Sequence, residues 1–476
     1  MKQPNIIFLL VDQMQKRAAD PASPCIMENL TRLRRDAVTF DNTHTVNAIC
    51  SPARASLLTG VLPHRHGMVD CTHTVPDYRA EFDASLDTLP QRLQRAGYHT
   101  CYYGKWHVER SYQLENFGVE DYETEKQIPK RKLTPVSKIT VSTPGYKDNT
   151  ICGVYAEGLE ASEEYYIYSK GIDFIEGCRK QGKPFCAFLS TYAPHDPYTV
   201  PKEIYDLYAD RPIELPANFD DPCLDKPNIY RRLQSVWKDL SREDAKNILR
   251  SYYSYCTLVD TQIGRLVQYL KTAGLYEDTM IVFLSDHGDM AGAHGLFCKG
   301  VPAFEEGYAI PLVIKFPDEQ LGGTCCSAPA TICDVMPTVL DCAGLSAEGC
   351  LDGRSLIPVA NGSDDGKRCT MAEFFGQRYS YTQRIVWWEN WKYVFNTFDF
   401  DELYDLNSDP FELNNLANLP QYQDRKQEMA ARMWDQLKAT EDQYMCDAQY
   451  YMHRFAPVGP SRFELSAETN MYNNLF

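Results

Sequence analysis

The chain of 476 residues carries a formal net charge of −17 with ordinary apolar (44%) and charged (24%) fractions, which argues against a fibre or a disordered segment and predicts one large α/β core with a smaller appendage. The acidic balance argues against nucleic acid and anionic membrane surfaces as partners, because both select basic patches, and it leans towards small or end-bound substrates over long anionic polymers. Seventeen cysteines make neither a disulfide framework nor paired CxxC knuckles, and the adjacent Cys325 and Cys326 are no zinc pattern.

In chain order, MKQPNIIFLLVDQ opens on an apolar run, Ile6 to Val11, that is too short to span a membrane and lacks a cleavage-site pattern. It predicts a first, buried strand that delivers Asp12 to the sheet edge, and a cytoplasmic chain with mostly reduced thiols. Met27, Leu30, Leu33 and Ala37 predict a helix within Cys25 to Phe40. Ile49 to Gly60, ICSPARASLLTG, reads as a loop turning into a helix with Pro52 at its first position. That leaves Cys50 beside the unpaired amides of the helix start, with Arg54 four residues on along the same face. Such a convergence is an anion site with a reactive centre. In GVLPHRHGM, His64 and His66 have no carboxylate or cysteine at ligand spacing, and they read as structural.

LPQRLQRAGYHTCYYGKWH predicts a helix ending at Gly97, a strand over Tyr98 to Tyr103 and a tight exit at Gly104. Lys105 and His107, two apart, then point the same way off the strand end. Glu109 to Asn149 lacks a strong period and reads as an irregular insertion over an active-site mouth, where substrate is chosen. A helix over Tyr155 to Cys178 and a strand over Phe185 to Leu189 lead to a loop with His195, which Asp196 is placed to orient. Arg231 to Leu270 predicts two amphipathic helices, whose Tyr252, Tyr253 and Tyr255 belong to core and rim because the surrounding charge is mixed.

Met280 to Leu284 is another buried strand, and SDHGDMAGAHGLFCKG after it has glycines that let backbone approach an ion or anion. Asp289 and His294 in this loop read as structural. A strand over Ile310 to Phe316 and a helix within Ser327 to Ala343 close the first domain, and NGSDDGK at 361–367 divides the chain into residues 1–365 and 366–476. Beyond it, IVWWENWKYVFN predicts an aromatic hairpin, and Tyr422 to Tyr444 a helix that covers it.

CSPAR followed by LLTG resembles the signature of the sulfatase family, and GKWH, APHDPY and SDHG stand in family order across Asn5 to about Ala417. The resemblance implies an alkaline-phosphatase-like α/β fold: a large mixed, mostly parallel sheet sandwiched by helices, then a smaller α+β domain on a short antiparallel sheet. It implies that Cys50 is oxidised to formylglycine, whose hydrate attacks sulfur, beside a divalent cation held by Asp12, Asp286, His287 and the modified Cys50. Gln13 stands where a second aspartate often follows, which leaves open whether its amide oxygen is a ligand. Oxygen donors dominate that set, so calcium or magnesium fits better than zinc.

By the same resemblance, Arg54 eases ionisation of the nucleophile, Lys105 and Lys299 hold sulfate oxygens, His195 protonates the leaving alcohol and His107 takes a proton from the hydrate. Arg378, Tyr379 and His453 are candidates to reach the substrate. The implied partners are a small sulfated sugar or aryl sulfate and a formylglycine-generating or radical maturation enzyme in the same compartment. Two alternatives stay open: a phosphonate monoester or phosphodiester hydrolase of the same superfamily, and a catalytically silent anion-binding protein.

Overall fold

The computed structural model describes residues 3–73, 76, 79–142, 148–317, 321–377, 381–397 and 399–446. Strands are numbered in chain order: β1 (Asn5–Val11), β2 (Val38–Phe40), β3 (Thr43–His44), β4 (His99–Gly104), β5 (Asp121–Thr124), β6 (Pro135–Val141), β7 (Asn149–Tyr155), β8 (Phe185–Ser190), β9 (Tyr198–Pro201), β10 (Thr279–Ser285), β11 (Leu312–Lys315), β12 (Thr324–Cys326), β13 (Ala330–Thr331), β14 (Thr370–Phe374), β15 (Gln383–Trp388), β16 (Trp391–Asn396) and β17 (Glu402–Asp405).

The run from Asn5 to Val11 is apolar on both faces because β1 lies at the centre of an eight-stranded sheet of order β12-β2-β11-β10-β1-β8-β4-β5. Ile6, Phe8 and Leu10 enter one core with Leu57 and Leu58 of the helix Cys50–Thr59. Ile7, Leu9 and Val11 enter the other, against the helices Glu163–Gln181 and Arg242–Thr272. From β10 through β1, β8 and β4 to β5 the pairing is parallel, whereas β11 runs antiparallel between β10 and β2. Among the described residues no helix is long and apolar enough to cross a membrane.

Register is what positions the site. Val11 pairs with Ser285, so Asp12 and Asp286 leave adjacent strands side by side. Ser190 pairs with both Leu10 and Gly104, which brings the exits of β8 and β4 to the same edge. Gly104 has φ +107, and a Cβ there would stand 1.8 Å from the Ser190 carbonyl oxygen, so only glycine lets the chain turn into Lys105.

Four local expectations are corrected. The helix expected within Cys25 to Phe40 is only Glu28–Leu33 with one 3-10 turn, because the β-branched and aromatic Val38-Thr39-Phe40 pairs with β11 as a strand. The helix expected from Tyr155 starts at Glu163: Ser162 caps it by accepting from the Tyr165 amide at 3.1 Å, and Tyr155 ends β7. Pro52 is the third residue of its helix, which begins at Cys50. The insertion after Glu109 is not irregular throughout, since it carries β5 and β6, and β6 pairs with β7 and β7 with β9 in a three-stranded sheet.

The C-terminal part is a four-stranded antiparallel sheet, β14-β15-β16-β17, covered by the helix Gln423–Ala439. Met371, Val386, Phe395, Trp434 and Leu437 share one core with Ile6 and Phe8, while Ala372, Ile385, Trp387 and Val394 pack with Ala48, Ala303 and Tyr308 in another.

Candidate active site

Asp12 and Asp286 are fully buried at the carboxyl ends of β1 and β10, and the Arg54 guanidinium straps them together. Its Nη2 lies 2.9 Å from Asp12 Oδ2 and its Nε 2.7 Å from Asp286 Oδ2, while Nη1 donates to the Lys105 carbonyl at 2.7 Å and to Ser190 Oγ at 2.9 Å. Four strand ends are thus tied to one helix through a single planar cation, a geometry that an ammonium cannot reproduce. Gly288 completes the loop after β10, since a Cβ there would meet the Glu306 carbonyl oxygen at 1.9 Å.

The Cys50 sulfur sits where these elements meet. It lies 3.2 Å from His287 Nε2, 3.7 Å from Asp12 Oδ1, 3.5 Å from Lys105 Nζ and 3.1 Å from Lys299 Nζ. Burial pushes its proton affinity up, but the two ammonium groups outweigh burial and hold the thiol well below its ordinary range. The sulfur therefore marks a position built for negative charge. Asp12 is held well below the usual carboxylate range by Lys105 and Lys299, against burial and the neighbouring Cys50.

Asp12, Cys50, Asp286 and His287 form a group whose ligand atoms lie within 4.8 Å of one another. The donor set fits a divalent cation on two observations. His287 Nδ1 donates to the Gly288 carbonyl at 2.9 Å, which turns the Nε2 lone pair inward. Asp12 Oδ1 approaches its neighbours only at long range among the described residues, 3.7 Å from Cys50 Sγ, 3.8 Å from His287 and 4.0 Å from both His195 and Lys299. That is the space an ion would take.

The other expected residues converge on the same position. Lys105 Nζ lies 2.6 Å from Asp12 Oδ2 and 4.5 Å from the centre of the Tyr192 ring. Lys299 Nζ donates to Gln13 Oε1 at 2.8 Å and to His195 Nε2 at 2.6 Å. His195 Nδ1 donates to the Asp196 carbonyl at 2.5 Å, which fixes the tautomer whose Nε2 accepts from Lys299. His107 is buried, and burial with the nearby Lys105 charge pushes it down to about 4, so it is neutral at pH 7 and open to a proton. Gln13 (φ +69) and His107 (φ +47) both adopt the left-handed region, as do eight other described non-glycine residues.

Gln13, left open as a ligand by the sequence, turns its amide towards Lys299, Asp196 and Asp289. Its Nε2 donates to Asp196 Oδ1 at 2.9 Å and Asp289 Oδ2 at 2.6 Å, and its Oε1 accepts from Lys299, so it acts as a spacer that holds the lysine in place. Asp289, read as structural from sequence, is the buried anchor of that spacer and also accepts from Tyr198 at 2.6 Å. His64 does have a carboxylate partner, Glu373 Oε1 at 2.6 Å, supplied from β14 three hundred residues away, where no local spacing could show it. Arg378, Tyr379 and His453 lie outside the described residues.

Above the floor opens a cavity of about 980 Å³ whose lining includes His107, His195, Tyr192, Lys126, Glu164 and Tyr255. Much of its wall comes from residues 125–133 and 155–166, inside and just after the insertion. Sequence reading missed Tyr192 and Glu164, which carry no motif and reach the cavity only through the fold.

Buried carboxylates and lysines at the carboxyl ends of a mixed sheet, with helices on both faces and a small antiparallel sheet behind, define an alkaline-phosphatase-like hydrolase. The sequence pattern of the Sulfatase family matches residues 4–345, and that of the N-sulphoglucosamine sulphohydrolase C-terminal region matches residues 292–440. A choline-sulfatase of Rhizobium meliloti is 30% identical over 440 residues, covering 88% of this chain and 83% of that protein. Two solved structures share the fold at 24% identity and cover 93% of this chain. One, in complex with its substrate D-glucosamine-2-N,6-O-disulfate, has a TM-score of 0.74 over 99% of that chain, and a phosphonate monoester hydrolase of Agrobacterium radiobacter has 0.76 over 96%. The chain belongs to the sulfatase family, and it is a hydrolase of sulfate esters.

Proposed function

We propose that this sulfatase works through a formylglycine at position 50 and a divalent cation, calcium or magnesium, held by Asp12, Asp286 and His287. The observation that carries this reading is the meeting of those four side chains, from three separate stretches of chain, beneath Lys105 and Lys299. A formylglycine hydrate would supply an oxygen nucleophile for sulfur, and the cation beside it would lower the cost of ionising that oxygen.

The chain's own residues do the rest. Lys105 and Lys299 bind sulfate oxygens next to the nucleophile at position 50, which both ammonium groups already flank. His195 protonates the departing alcohol from Nε2, with the Lys299 ammonium, hydrogen-bonded to that nitrogen, passing on the proton it gives up. His107, neutral at pH 7, accepts the proton released at position 50. Arg54 acts by positioning both carboxylates. Cys50 is 1% exposed, so a formylglycine-generating or radical maturation enzyme has to reach it before the chain folds.

The substrate is proposed to be a small sulfated sugar or an aryl sulfate. Tyrosine faces, the buried Glu164 and Lys126 line a cavity that accepts a leaving group of one or two rings. A panel of sulfated mono- and disaccharides and aryl sulfates, with an aryl phosphodiester beside them, tests this with matured wild type against Cys50→Ala. Sulfate release by wild type alone is expected. Equal release by both ends the formylglycine reading, and faster phosphodiester cleavage moves the assignment to the phosphonate and phosphodiester branch.

A further inference from the structure

The loop after the signature helix carries Cys71 and His73, neither of which the reading above uses. Cys71 Sγ lies 3.4 Å from His73 Nδ1 and 3.6 Å from His107 Nε2, and the two imidazole nitrogens are 2.7 Å apart. A tetrahedral zinc ion with bonds of about 2.05 Å to nitrogen and about 2.3 Å to sulfur sets N···S edges of about 3.5 Å and an N···N edge of about 3.3 Å. Both sulfur edges already match. Only the imidazole pair has to open, by about half an ångström, to reach that edge length.

The surroundings support a built site. The Cys71 amide donates to Asp70 Oδ1 at 2.6 Å, the Thr72 amide to Ser51 Oγ at 3.2 Å, and Arg110 Nε to the Thr72 carbonyl at 3.1 Å. The loop is therefore stapled to the first turn of the signature helix and to the chain just past His107. Cys71 and His107 are buried while His73 is exposed, and His73 and His107 both line the cavity. An ion entering from the cavity meets the exposed His73 first, and three protein ligands leave a fourth position for an exchangeable ligand.

We propose that Cys71, His73 and His107 form a second metal site, selective for a soft divalent ion of the zinc class, distinct from the oxygen-rich site at Asp12, Asp286 and His287. One thiolate and two imidazoles suit zinc, whereas two carboxylates and an oxygen suit calcium or magnesium. An ion there engages a nitrogen of His107 and takes that residue out of proton transfer, so the site is a reversible inhibitory one. The inhibition, though not the binding, rests on the role given to His107 above.

The test uses the full chain with Cys50→Ala, which removes the competing thiol, in excess Mg²⁺ to fill the hard site. Co²⁺ is titrated in, the sulfur-to-cobalt charge-transfer absorption is read, and Zn²⁺ is added to displace it. The expected result is a saturable band that Zn²⁺ abolishes, that disappears when Cys71→Ser is added, and that needs at least tenfold more Co²⁺ with His73→Ala. Absence of the band, or its survival in Cys71→Ser, overturns the site and leaves a plain hydrogen-bonded histidine pair. His73 is exposed, so its variant keeps the test decisive if Cys71→Ser misfolds. A parallel assay of sulfate release by matured wild type under Zn²⁺ separates the two claims: binding with full activity leaves the site standing and overturns the proton role of His107.

Discussion

At the floor of the cavity, Asp12, Arg54, Lys105 and Asp286 are all buried and each is tied to at least one of the others by an ion pair of 2.9 Å or less. On the wall, Lys126 sits 3.3 Å from the centre of the Tyr112 ring, and Glu164 has Tyr255 OH at 3.4 Å. Floor residues stand at strand ends whose register is locked by pairing across the central sheet, whereas Lys126 stands on an insertion with its own small sheet and Glu164 in the first turn of a helix after it. A charge network closed on itself is costly to alter at any point, because removing one member leaves a buried charge unpaired. Wall residues with few partners change at little cost. On the proposed reading, the floor fixes the chemistry and the wall selects the substrate.

Substitutions that break this contrast rank by how deep they fall in the floor. Asp286→Asn should lower sulfate turnover by about 10²- to 10³-fold while the Michaelis constant changes little, measured on matured protein. Arg54→Ala should destabilise the fold by about 3–5 kcal/mol in urea titration, since it removes the guanidinium that two buried carboxylates share and leaves Asp12 with Lys105 alone at short range. Gly104→Ala, at a position where φ is +107, should lose about 3 kcal/mol by the same measurement. A stable Arg54→Ala would show that the floor is not one network.

Two pH effects sharpen the comparison. Behind the floor, His66 is buried against Ser56 Oγ at 2.9 Å, and burial pushes it down to about 3. The unfolded chain takes a proton on this residue below about 6.5 and the folded chain does not. Its contribution is therefore complete above that pH and is lost on acidification towards 3, at up to about 1.4 kcal/mol per pH unit, and His66→Asn should flatten that slope. On the wall, burial and the neighbouring Glu163 push Glu164 up to about 7. Above that pH the wall gains a negative charge, so the Michaelis constant for a sulfated substrate should rise by less than about tenfold, and Glu164→Gln should remove the rise.

The same contrast explains what the sequence made legible. Asp12, Lys105, His107, Asp286 and His287 follow buried strands, and Cys50 and Arg54 lie on one helix. Their roles, like those of His195 and Lys299, come from the resemblance of CSPAR, GKWH, APHDPY and SDHG to the sulfatase family, since each segment is continuous in the chain. The role of Gln13 was not legible, because its partners Asp196 and Asp289 arrive from β8 and β10. Neither was the cluster of Cys71, His73 and His107, which joins a loop to a strand end more than thirty residues on. Helix limits failed where a short periodic run was extended across a strand, as at Val38–Phe40.

The central claim, that position 50 is the nucleophile once converted, is tested most directly by preparing the protein with graded amounts of maturation enzyme. The converted fraction of the peptide containing Cys50 is measured by mass spectrometry and plotted against the rate of sulfate release in the same samples. A straight line through the origin is predicted. A rate that persists at zero conversion, or that does not rise with it, would contradict the account.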